Sequence, residues 1–446
     1  MRVDVATAAR RDALPRVLGI WSVVGILVGT VIGSGIFVIP AELSALLRAP
    51  LLVLTVWVLG GALSFLGALC LAELGAAFPQ AGGMYVYLRE AYGKLIAFLF
   101  GWTLFLVIDS GAIATLAMAF SSKYLPYFVP LSPGAIKAVA VVFVVVLVGV
   151  NYVGVRYGAL LQNALMFIKF GALFAVIAVV FLLADGTRAN FVQPAPGVVS
   201  VGVLSAMGFA LVRTLWAYKG WEATTFSAGE MRNPTRDLPL GLLGGMLVVI
   251  ALYLGANLAY LYVFSTAEIA QKSRVAADAV KLVLGPAGGS IIAFVILCSI
   301  TGAANGNLLT APRVFFAMAQ DGLFFAKAAE VHARYRTPHA AIVATGVWAV
   351  VLTLSGTFEQ LASYVIFGQL IFFALSAAAV IVLRRTRPDL PRPYRALGYP
   401  ATPVLFIAGA LLLSGNLLII QPVNSLAGLA IILLGVPVYW YWQKDR

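Results

Sequence analysis

No charged residue interrupts the chain between Arg16 and Glu42, between Asp237 and Glu268, between Lys281 and Arg313, or between Arg395 and Lys444. A helix needs about 20 apolar residues to cross the roughly 30 Å hydrocarbon core of a bilayer, so each run is long enough and the last holds two spans. The runs lack the wide polar face that a helix on a soluble core keeps toward water. Composition agrees. Of the 446 residues, 62% are hydrophobic and 11% charged, against about 25% charged in a soluble domain. A soluble enzyme, a disordered chain and a nucleic-acid reader are excluded. The expected fold class is an all-α membrane protein.

We read twelve spans, at 17–47, 51–77, 96–122, 134–154, 160–183, 199–228, 239–265, 288–318, 339–356, 360–383, 401–419 and 425–442. If residues 1–16 form a cytoplasmic tail, the loops and tails on that side, 443–446 included, hold most of the 30 Lys and Arg residues. That is the bias of the positive-inside rule, so both termini are expected to be cytoplasmic. The net charge of +13 then reflects topology and anionic headgroups rather than a nucleic-acid partner. The first apolar run is too long for a signal-peptide core. Cys70 and Cys298, the two cysteines, both fall inside expected spans.

Two spans are poor plain anchors. The first carries Gly25, Gly29 and Gly33-Ser34-Gly35 before Pro40, and the sixth carries Trp216-Ala217-Tyr218-Lys219-Gly220-Trp221-Glu222. Glycine in a helix interior costs about 1 kcal/mol relative to alanine. Close helix packing through small residues is one reading of the four-residue glycine spacing. Interruption is the other, because breaks at matching places in two halves point to inverted repeats around a site at the bilayer midplane. Unwinding frees N–H groups that suit an anion and carbonyls that suit a cation. Two such ends a few ångströms apart match a zwitterion, and an α-amino acid is the obvious candidate.

Gly33-Ser34-Gly35-Ile36-Phe37 with Pro40 resembles the first-span signature of the amino acid–polyamine–organocation superfamily, and 215–221 resembles the sixth span of its L-type amino acid transporter branch. Supporting segments are Phe78-Pro79-Gln80-Ala81-Gly82-Gly83-Met84-Tyr85, Gly229-Glu230-Met231-Arg232-Asn233-Pro234 and 304–313. The resemblance implies a LeuT-type fold: a first repeat over 17–183, an inverted second repeat over 199–383, and two appended helices over 401–442. It also implies a substrate site at Val31, Ile32, Gly33, Ser34, Gly35, Trp216, Ala217 and Lys219. The substrate carboxylate would meet the N–H groups of Ser34 and Gly35, and its amino group the carbonyls near Val31, Trp216 and Lys219. Trp216 stands where the family places an aromatic gate; the alternative is an ordinary packing tryptophan.

Asp109, Lys169, Arg213, Lys219 and Glu222 lie well inside expected spans, where an unpaired charge is costly. In sodium-independent relatives a lysine at the position of Lys169 occupies the space of the coupling sodium ion and bridges to span one; a structural or a proton-coupling role is open. Asp109 could pair with Arg213 or Lys169, carry a proton, or meet a basic substrate side chain. Lys219 departs from the L-type pattern and could narrow the pocket or repel cationic substrates. Glu222 matches a glutamate of the arginine-handling branch. Together Trp216, Lys169, Asp109 and Glu222 are the expected coupling or gating residues.

No phosphate-binding loop occurs, so ATP is not the direct driver. No metal site, catalytic residue or cofactor is expected. Unlike the members of the resembled family that are disulfide-linked to a heavy chain, this sequence has no cysteine between spans three and four, so no such partner is expected. The reading is a sodium-independent transporter of neutral amino acids in the plasma (inner) membrane, working by alternating access as an exchanger or proton symporter. Cationic amino acids or polyamines are the alternative cargo; a channel or membrane enzyme is the rival class.

Overall fold

The computed structural model describes residues 14–193, 202–355 and 358–444, without the side chains of 358–365 and 444. Residues 1–13 of the expected tail, 199–201 of span six, 356–357 and 445–446 lie outside it. Every element of the described residues is helical, apart from one isolated bridge between Leu18 and Met231.

Among the described residues, ten helices are long and apolar enough to cross a membrane, and they fall on ten of the expected spans. Val203–Tyr218 and His339–Ser355 are shorter apolar helices at the sixth and ninth positions. We label α1 Ile20–Val31, α2 Gly35–Leu47, α3 Pro50–Ala77, α4 Met84–Tyr92, α5 Lys94–Thr103, α6 Asp109–Ala119, α7 Pro133–Val153 and α8 Val155–Leu183. They are followed by α9 Val203–Tyr218, α10 Ala223–Phe226, α11 Pro234–Val263, α12 Thr266–Ala270, α13 Val275–Thr310 and α14 Pro312–Gln320. The last four are α15 His339–Ser355, α16 Phe358–Thr386, α17 Ala401–Ile420 and α18 Pro422–Lys444.

Proline opens α3, α7, α11 and α14, where its missing N–H has no helical partner to lose and its fixed φ suits the first turn. Aliphatic faces such as Val142, Val145 and Val146 on α7 stay exposed, as a lipid-facing surface requires. Extensive helix packing joins α11 to α3 and α1, and α13 to α8, and α6 is buried along almost its whole length. Three features lie outside the sequence reading. A π-helical turn, Leu104–Ile108, leads into α6; α4 gives helical structure to an expected loop; and α13 starts well before residue 288, with a kink at Gly285.

Candidate substrate site

Spans one and six are both broken. Ile32 leaves the helix at φ −73°, ψ 86°, and the Gly33 N–H folds back onto the Val31 carbonyl at 2.8 Å. This is close to an inverse γ-turn, which stops one helix before α2 begins at Gly35. In span six, Lys219 is extended at ψ 144° and Gly220 takes φ +117°, a conformation that L side chains rarely adopt. The Glu222 carboxylate folds back to accept the Gly220 N–H at 3.0 Å and the amide of Gln369 from α16.

The two breaks touch. A Cβ on Gly35 would lie 2.8 Å from Cα of Ala217, and one on Gly220 would lie 2.7 Å from Thr30 Cγ2. The Tyr253 hydroxyl of α11 reaches the carbonyls of both Val31 and Ala217 at 3.0 Å. A hydroxyl has one proton to donate, so it cannot fully satisfy both oxygens. Between the breaks lies a cavity of about 40 Å³. Val31, Gly33, Ser34 and Gly35 line it from the first break, and Trp216, Ala217, Lys219 and Gly220 from the second. Ala112 and Leu116 of α6 and Ala303 and Asn307 of α13 close it. The first N–H groups of α2 have no intrahelical acceptor by position, and they carry the positive end of the helix dipole. One end of the cavity therefore suits an anion, and the carbonyl-rich end of α1 suits a cation.

Seven of the eight substrate residues named from sequence line this cavity; Ile32 does not. Its carbonyl is taken by Lys169 Nζ at 2.8 Å and by Ser299 Oγ at 2.8 Å. Lys169, fully buried on α8, also donates to the Gly29 carbonyl at 2.5 Å. Removing a donor shared by two buried carbonyls costs about 1–3 kcal/mol for each, roughly 10-fold or more in an equilibrium. Lys169→Ala is therefore expected to lower flux at least about 10-fold at matched protein amounts in liposomes. Unchanged flux would remove Lys169 from the working parts.

Asp109 pairs with neither Arg213 nor Lys169. Its carboxylate faces Lys219 Nζ at 3.6 Å, with both side chains buried. Arg213, almost two turns before Lys219 on α9, reaches instead to Glu42 of α2 at 2.6 Å. That pair lines a neighbouring cavity bounded also by Ser34, Gly35 and Trp216. Trp216, like Ser34 and Gly35, lines both this cavity and the central one. On the opposite side, backbone bonds join Leu18 N–H to Glu230 O and Arg232 N–H to Leu18 O, each at 2.9 Å. Arg313 grips the Glu230 carboxylate there through Nε at 2.7 Å and Nη2 at 3.1 Å.

Tyr253, Ser299, Asn307 and the Arg313–Glu230 pair escaped the sequence reading. Asn307, Arg313 and Glu230 did sit in segments that carried the resemblance. Tyr253 and Ser299 had no local signal, being single polar residues in apolar helices.

The model of the family described as amino acid permease matches residues 18–440. The chain belongs to the amino acid permease family. Among its relatives, this permease is 33% identical over 438 residues to the serine/threonine exchanger SteT of Bacillus subtilis (strain 168), covering 98% of each chain. It is 35% identical over 392 residues to the human b(0,+)-type amino acid transporter 1, covering 86% of this chain and 80% of the relative. It is 32% identical over 452 residues to the human large neutral amino acids transporter small subunit 2, covering 97% and 82%. The permease is therefore a multi-pass membrane transporter of the amino acid–polyamine–organocation superfamily with the look of the L-type branch, and not an enzyme.

Proposed function

We propose that this permease is a sodium-independent exchanger of small neutral α-amino acids, working by alternating access. The observation that carries this reading is the pairing of the two breaks across one cavity, with the first N–H groups of α2, which by position have no intrahelical acceptor, at one end and the carbonyl end of α1 at the other. A zwitterion neutralises both ends. Lys169 Nζ already holds the Gly29 and Ile32 carbonyls, which supports independence from sodium because the side chain occupies the carbonyls beside the first break. The serine/threonine exchange named for the Bacillus relative supports exchange of small neutral cargo.

Alternating access rests on inverted repeats over 17–183 and 199–383, with 401–442 appended and twelve crossings in all. Helix packing supports the repeat. The pairs α1–α11 and α9–α3 exchange when each span is renumbered by five, as do α8–α13 and α16–α6. Trp216 acts as the outer gate, and both termini lie in the cytoplasm with the protein in the plasma membrane. With no cysteine between spans three and four, a disulfide-linked heavy chain is not part of the assembly. Proton symport is the second reading, favoured by the buried Asp109 and Glu222 carboxylates beside the break.

The test is uptake of radiolabelled amino acids into liposomes holding the purified protein, without sodium, in empty and preloaded vesicles, with and without an inward proton gradient. Uptake that needs preloading supports exchange. Proton-driven uptake into empty vesicles establishes symport instead, and silence across the panel ends the amino-acid reading.

A further inference from the structure

Among the residues that line the central cavity, Lys219 is the single ionisable one. It also lines a second, apolar cavity with Leu215, Phe373 and Phe406, so its side chain forms part of the wall between the two. The carboxylates near it stand behind it. Asp109 opens α6 one turn before Ala112, does not line the cavity, and faces Lys219 Nζ at 3.6 Å through Oδ1. Its Oδ2 is buried without a hydrogen-bond partner. Glu222 is engaged by the Gly220 N–H and by Gln369.

We propose that Lys219, balanced by Asp109, is the charge filter of the transporter, admitting neutral side chains and rejecting cationic ones. This rests on the amino-acid reading above and narrows its substrate class. The cargo's α-amino and α-carboxyl groups are satisfied by backbone, so its side chain must extend toward other walls of the cavity. A cationic side chain there meets the ammonium first, and like-charge contact in a water-poor site is strongly unfavourable. The remaining walls combine the apolar Ala112, Leu116, Ala217 and Ala303 with the neutral polar side chains of Thr30 and Asn307, and hold no carboxylate to compensate. Removing the ammonium reverses the sign of the site, because Asp109 and Glu222 are then left without their counter-charge. Removing Asp109 does the opposite and leaves Lys219 seeking an anion.

The test is competition binding to the purified full chain, with L-alanine, L-serine and L-threonine as neutral probes, L-lysine and L-arginine as cationic probes, and L-aspartate as the anionic one. Wild type should prefer the neutral set. Lys219→Met should raise the ratio of cationic to neutral affinity about 10-fold or more, and Lys219→Arg should keep the wild-type ratio. Asp109→Asn should shift preference toward L-aspartate, and it decides the matter if Lys219→Met does not fold. Wild-type binding of L-lysine as tight as L-alanine would overturn the filter. So would a Lys219→Met protein that weakens all probes equally, as loss of a purely structural pair would, or an Asp109→Asn protein with an unchanged ratio. Failure of every amino acid to bind wild type would be a different outcome, striking the transport reading itself.

Discussion

Arg313→Leu is expected to destabilise the protein by about 3–5 kcal/mol, the usual cost of removing one partner of a buried ion pair. Arg313 and Glu230 have side-chain exposures of 1% and 0%, and the contact is bidentate. Leucine fills part of the space but leaves the Glu230 carboxylate in an apolar interior with no counter-charge. The damage extends beyond the pair, because the Glu230 carbonyl also holds the Leu18 N–H ahead of α1. The measurement is the unfolding temperature of the purified protein. Arg387→Ala is the internal control, since its pair with Glu90 is similar in length, 2.7 Å, but has exposures of 47% and 22%. Such an exposed pair is worth about 0–1 kcal/mol. Equal melting of the two variants would mean that the buried pair holds nothing together.

Gly35→Val is expected to abolish substrate binding. From sequence, the reason for glycine here is room for the substrate carboxylate. The structure adds a stronger one: a Cβ at Gly35 would sit 2.8 Å from both Cα and Cβ of Ala217. Real Cβ atoms do not approach backbone so closely, so the two breaks must separate at the cavity they enclose. Displacement by about 1 Å can cost on the order of 100-fold where groups must converge on a ligand. Gly149→Val is the matched control, because Gly149 also lies in a helix but has nothing within 4 Å of its Cβ position. Ligand-dependent thermal stabilisation reads both variants. Wild-type affinity in Gly35→Val would remove the junction of the breaks from the substrate site.

The spans and the two breaks were legible because their signals are local. An uncharged run longer than the bilayer core and a Gly-Ser-Gly triplet within one turn can each be seen without a partner. Seven residues of the cavity lining came with those breaks. Charge pairing was not legible, since it depends on which faces of distant helices meet. Asp109 meets Lys219 rather than Arg213, and Arg213 turns to Glu42. Arg313 shows in the sequence only as the end of a long uncharged run, and nothing there tells that its side chain is fully buried against Glu230. The π-helical turn before Asp109 is equally silent in sequence. It has no composition of its own, although such turns often mark functional positions.

The most direct measurement takes the cavity's two ends separately. Thermal stabilisation of the purified protein would be recorded with L-alanine, with propionate, which lacks the amine, and with ethylamine, which lacks the carboxylate. A ligand that binds only the folded state stabilises it in proportion to RT ln(1 + [L]/Kd), so the three compounds can be ranked on one scale. Stabilisation by L-alanine, with neither half-molecule effective at the same concentration, is the expected result for a site with an anion end and a cation end. Equal stabilisation by either half-molecule would contradict it.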